Sequence, residues 1–71
     1  MKTLNISTDF IDLGSALKLL NIVSSGGEAK YFLKENDVYI NGSKEERRGR
    51  KLYPNDKIFF NEEEILIKNV C

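Results

Sequence analysis

The sequence predicts an α+β domain, with two adjacent helices packed on a small, mostly antiparallel sheet of short strands. Three observations carry this. Apolar residues recur at helical spacing as far as residue 35 and at a period near two from Val38 onward. The dipeptide Asn41-Gly42 is a strong hairpin signal between two short runs. The order is two helices and then a run of strands, which points away from a parallel α/β sheet.

In chain order, Thr3 to Ser7 reads as a short strand with Leu4 and Ile6 on one face. Helix one is expected over residues 9 to 21, capped by Thr8 or Asp9. Its apolar face is Phe10, Leu13, Leu17 and Leu20, extended by Ala16, Leu19 and Val23. Ser24-Ser25-Gly26-Gly27 interrupts the pattern. Ser25 with Glu28 three residues on is a capping box, and helix two is expected from Gly26 to Glu35, burying Ala29, Phe32 and Leu33. Val38 to Ile40 is a strand, Asn41-Gly42 its type I′ turn, and Ser43 to Glu46 the returning strand. Residues 47 to 51 read as a basic loop and Pro54-Asn55 as a turn. Two strands follow, Lys57 to Asn61 and Ile65 to Ile67, joined by an acidic turn at Glu62-Glu63-Glu64. The expected core is Leu17, Leu20, Phe32, Leu33, Val38, Ile40, Ile58 and Phe60.

Seventy-one residues make one domain, 1–71, with a thin core; a chain this size buries only about 60% of its unfolded surface. A deep catalytic cavity is not expected in it. The chain lacks histidine, so histidine metal sites and general bases are excluded. Its single cysteine, Cys71, has no activator and reads as an incidental tail residue in a reducing compartment. No apolar run nears the roughly 20 residues of a membrane span, and the N-terminal residues do not resemble a signal peptide. The expected setting is the cytoplasm. Three consecutive glutamates on a tight turn cannot converge on one ion, so no metal or other cofactor is expected, and no catalytic set assembles.

Net charge is zero, but its distribution is uneven. Arg47, Arg48, Arg50 and Lys51 place four positive charges within five residues. Arginine forks match phosphate, and like charges so close together favour a bound anion. Ser25, Gly26 and Gly27 open helix two, where free amides and the absence of Cβ suit a phosphate; a plain capped turn is the alternative. Lys30 follows one turn later. Tyr31, Tyr39 and Tyr53 could stack on bases or simply pack with their hydroxyls in water.

Ser25-Gly26-Gly27-Glu28-Ala29-Lys30, Val38-Tyr39-Ile40-Asn41-Gly42, Arg47-Arg48-Gly49-Arg50-Lys51-Leu52 and Pro54-Asn55-Asp56-Lys57-Ile58, in this order, resemble the S-four RNA-binding domain, the αL motif. The likeness covers about residues 8 to 68 and is greatest to the small free-standing bacterial YaaA-like members. It implies binding of structured RNA, ribosomal or transfer, with the ribosome as the expected setting; a monomer without a small-molecule substrate is expected. Carried over by position, the RNA face would comprise Lys18, Ser25, Gly26, Gly27, Lys30, Lys34, Asn41, Arg47, Arg48, Arg50 and Lys51. Many relatives open helix one with a basic dipeptide, where this chain has Asp9-Phe10-Ile11-Asp12. That departure and the zero net charge support a second reading, a protein-interaction adaptor on the same fold.

Overall fold

The computed structural model describes residues 2–70, so the reading of Cys71 lies outside the described residues. The elements are β1 (Lys2–Ile6), β2 (Ile11–Asp12), α1 (Leu13–Leu19), α2 (Gly26–Glu35), β3 (Tyr39–Ile40), β4 (Ser43–Lys44), β5 (Lys51–Leu52), β6 (Lys57–Phe60) and β7 (Glu63–Asn69). Five strands form one sheet in the order β1-β7-β6-β3-β4, and β2 pairs with β5 in a separate ribbon. The α+β expectation holds. The sheet is antiparallel except for β1 on β7, a parallel pair that sets Leu4 beside Ile67.

Helix α1 is shorter than the apolar spacing suggests. Ile11 and Asp12 are taken by an antiparallel pairing with Leu52 and Lys51, so the helix cannot begin at residue 9. Asp12 is its cap, with a side-chain oxygen 2.7 Å from the Ser15 amide. Phe10 is left outside the helix and exposed, and Leu19 points to solvent. The helix ends at Leu19 with Leu20 as its C-cap, and Asn21 just beyond lies in the left-handed region at φ 60°. There the Asn21 amide donates to the Lys18 carbonyl and the Ile22 amide to the Leu17 carbonyl, a Schellman closure.

Helix α2 starts and stops where the sequence places it. Ser25 Oγ accepts from the Glu28 amide at 3.1 Å. The return half of the capping box is displaced by one residue, because the Glu28 carboxylate takes the amide and hydroxyl of Ser24.

Three turns shape the sheet. Asn41 and Gly42, at φ 51° and 88°, make the expected type I′ turn between β3 and β4. Asn55 at φ 80°, after Pro54, fits the second central position of a type II turn. The acidic turn is tighter than expected. Its central residues are Asn61 and Glu62, both at positive φ, while Glu63 and Glu64 already belong to β7.

The helices and the inner sheet face meet in one core containing Leu4, Ile6, Leu13, Ala16, Leu17, Ala29, Leu33, Val38, Ile40, Leu52, Ile58, Ile65 and Ile67. Leu17, Leu33, Val38, Ile40 and Ile58 are buried as expected. Leu20, Phe32 and Phe60 are only partly buried and border the core, Phe32 meeting Phe60 edge-on at 4.9 Å.

Candidate nucleic-acid interface

The basic segment is docked, not loose. It opens with the Glu45 amide donating to the Val38 carbonyl at 2.9 Å and closes where Lys51 enters β5. Between them its backbone caps α1, since the Arg48 and Arg50 carbonyls accept from the amides of Gly14 and Leu13, both at 2.8 Å. These satisfy donors that a helix start leaves unpaired. The approach is close. A methyl group on Gly14 would lie 3.4 Å from both Cβ and the carbonyl oxygen of Arg48, at the near edge of ordinary van der Waals contact.

Inside the loop sits Glu45, 7% exposed and the one buried charged side chain among the described residues. Its carboxylate accepts from Arg47 Nε at 3.0 Å, Arg47 Nη2 at 3.2 Å and Arg50 Nη1 at 2.9 Å. The amides of Glu46 and Arg47 also donate to it. The Arg47 hydrogen bonds, followed by those of Arg50 and the Arg47 amide, outweigh desolvation and hold the Glu45 carboxyl at about 2. The same pair raises the Arg47 guanidinium. The chain thus supplies its own anion for two of the four loop cations. Sequence reasoning passed over Glu45, although two residues before Arg47 on an extended segment is a spacing that puts both side chains on one side.

Arg48 points elsewhere. Its Nη1 donates to the Gly26 carbonyl at 2.9 Å, tying the loop to the start of α2. Lys18, Gly26, Arg48 and Gly49 line one open depression of about 290 Å³, together with Asp12, Gly14 and Ser15. Gly26 faces Arg48, and Lys30 lies four residues on, hence one turn along the same helix side. The basic loop and the start of α2 therefore share a face, as the sequence leads one to expect. The first two α2 amides, Gly26 and Gly27, carry no capping partner among the described residues. Neither glycine has a positive φ, and a methyl on Gly27 would meet nothing nearer than Ser25 Oγ at 4.0 Å. Helix packing does not require these glycines.

Of the eleven lysines and arginines, Lys2, Lys44, Arg47, Arg50 and Lys57 are ion-paired to carboxylates. Lys18, Lys30, Lys34, Arg48, Lys51 and Lys68 have no carboxylate partner among the described residues. Five of these six are on α1, α2 or the basic loop. Asn41 lies apart and is engaged in the fold. Its side chain donates to Asp56 at 3.1 Å and accepts from the Lys57 amide at 3.0 Å, joining two turns.

The tyrosines differ in setting. Tyr31 is exposed on α2, Tyr39 pairs with Phe59, and Tyr53 pairs with Phe10. Among the described residues, no group of acidic or cysteine side chains is arranged to hold a metal, and no helix is long and apolar enough to cross a membrane.

Comparison with known proteins adds two findings. The family model described as the S4 domain matches residues 4–68. Over 55 aligned residues the chain is 47% identical to a Bacillus subtilis (strain 168) protein, "Probable ribosome maturation protein RlbA", the alignment covering 78% of each chain.

Proposed function

Because this chain belongs to the S4 domain family, we propose that it is an RNA-binding accessory protein, acting without bond chemistry in ribosome maturation. A single copy recognises structured RNA, ribosomal RNA above all, by shape and phosphate contacts. The name of the Bacillus subtilis relative supports the ribosomal setting.

One observation carries the reading. Five of the eleven carboxylates of this neutral protein, Asp37, Glu45, Glu46, Glu63 and Glu64, are ion-paired to cations outside the proposed face or deep in its loop. They leave Lys18, Lys30, Lys34, Arg48 and Lys51 unpaired on adjoining elements. In this scheme the five cations meet phosphates. Ser25, Gly26 and Gly27 present the α2 start to one of them. Arg47 and Arg50, held by Glu45, set the shape of the loop and add to its field, and Asn41 secures the turn behind it.

The test is a titration of ribosomal RNA fragments against parent and a Lys18→Gln, Lys30→Gln double variant at several salt concentrations. Both lysines are exposed and unpaired, so circular dichroism should show an unchanged fold. Parent affinity should fall steeply with salt. The variant should bind more weakly, and its log–log slope should be shallower by about 1.5, at about 0.7–0.9 per phosphate contact. Weak, salt-insensitive binding by the parent would favour the protein adaptor instead.

A further inference from the structure

The β2–β5 ribbon has an inner and an outer side. Ile11 stands opposite Leu52, and both turn inward, Leu52 fully buried. Alternation then puts Lys51 on the outer side of β5, and Phe10 and Tyr53, each one residue past its strand, meet ring to ring. The two rings lie 5.8 Å apart, tilted at 47°, and are 40% and 48% exposed. Lys51 Nζ sits 4.9 Å from the centre of the Phe10 ring. Beside them opens a depression of about 450 Å³ lined by Arg47, Gly49, Arg50, Lys51 and Tyr53. The Tyr39–Phe59 pair differs: Tyr39 is half-buried, and the nearby Lys57 is matched by Glu64, which leaves that site without net charge.

From this arrangement we propose that Tyr53, backed by Phe10, is a stacking platform for one unpaired nucleobase of the bound RNA. Lys51, which has no carboxylate partner among the described residues, holds the flanking phosphate, while Arg47, paired to Glu45, adds to the field. The proposal rests on the RNA-binding reading above and specifies the RNA feature recognised. A flat aromatic face accepts any base, and the unpaired Lys51 beside it suits the charged backbone that carries that base. A protein side chain has no such obligatory flanking anions. The platform adjoins the Lys18–Arg48 depression through Gly49, which lines both. One RNA can therefore lay a helical segment on the α1–α2 face and its unpaired nucleotide on Tyr53.

The experiment compares two RNA hairpins of equal length, one fully paired and one with a single-nucleotide bulge carrying 2-aminopurine. They are titrated against the parent, Tyr53→Ala and Tyr53→Phe. The parent should prefer the bulged hairpin by about 5- to 150-fold, the range that one stacked base supplies, and should quench the 2-aminopurine. Tyr53→Ala should bind both hairpins with the parent's affinity for the paired one and without quenching, while Tyr53→Phe should keep preference and quenching. Equal parental affinity for the two hairpins would overturn the platform while leaving the RNA-binding reading in place, as would an undiminished preference in Tyr53→Ala. A parent that binds neither hairpin would overturn both. Tyr53 is half-exposed and its backbone amide, not its ring, holds the Asp56 carboxylate, so the alanine variant keeps the local turn.

Discussion

The Glu45 carboxylate is buried against two guanidinium groups and two amides, and its pH response follows from that. Its pKa in the folded chain, about 2, lies below the ordinary 4.5. A depressed carboxyl contributes stability that is complete above the unfolded value and lost as pH falls through the folded one. The window is therefore about pH 4.5 down to about 2. In thermal melts across that range, parent should exceed Glu45→Gln in stability near neutrality, and the gap should close as pH falls. A gap independent of pH would mean that the charge on Glu45 does not hold the loop. Arg50 is the partner to leave alone in binding studies, because a glutamate there would face Glu45.

The elements show why the start of α2 reads as a binding feature. Glycine in a helix costs about 1 kcal/mol relative to alanine. Here it is not repaid by a left-handed backbone or by a close neighbour at Gly27. Gly27→Ala should thus stabilise the protein by about 0.5–1 kcal/mol, raising the midpoint by about 2–8 °C for a domain of this size. Its RNA affinity should fall, because a methyl group now stands where a phosphate would approach. A variant gaining stability with unchanged affinity would place the RNA elsewhere. Helix α1 makes the opposite use of its end, its amides being consumed by Asp12 and the basic loop. Of the two helix starts, that of α2 keeps donors free of partners among the described residues.

For the whole molecule, the core is one cluster built from both helices and five strands, with the aromatic pair Phe32–Phe60 at its edge. A domain of this length has about 3–5 kcal/mol of stability in all. Leu33→Ala, at a fully buried site, should cost about 2–5 kcal/mol and leave much of the population unfolded. Phe32→Ala should cost less than the about 3–5 kcal/mol of a fully buried phenylalanine, because its ring keeps contact with water. Urea unfolding of both variants checks the order: a Phe32 variant less stable than the Leu33 variant would place the energetic centre of the core at the aromatic edge.

Much of this was legible in the residues alone. Periodicity marked α2, the inward faces of β1, β3 and β6, and the helix-then-strand order, because burial imposes a period on any element with one wet face. Asn41-Gly42 announced its turn, and Arg47 to Lys51 announced a basic loop. What depended on distant neighbours was not legible. The start of α1 moved from residue 9 to Leu13 because β5, some forty residues on, captures Ile11 and Asp12. That same pairing took Phe10 out of the expected apolar face and set it on Tyr53. Nor could local sequence say which cations would remain unpaired, since a carboxylate neutralises whichever charge the fold brings within a few ångströms. The sequence determined the class of fold and the kinds of residue available for binding. Tertiary pairing decided which charges stay free, because that depends on contacts between segments far apart in the chain.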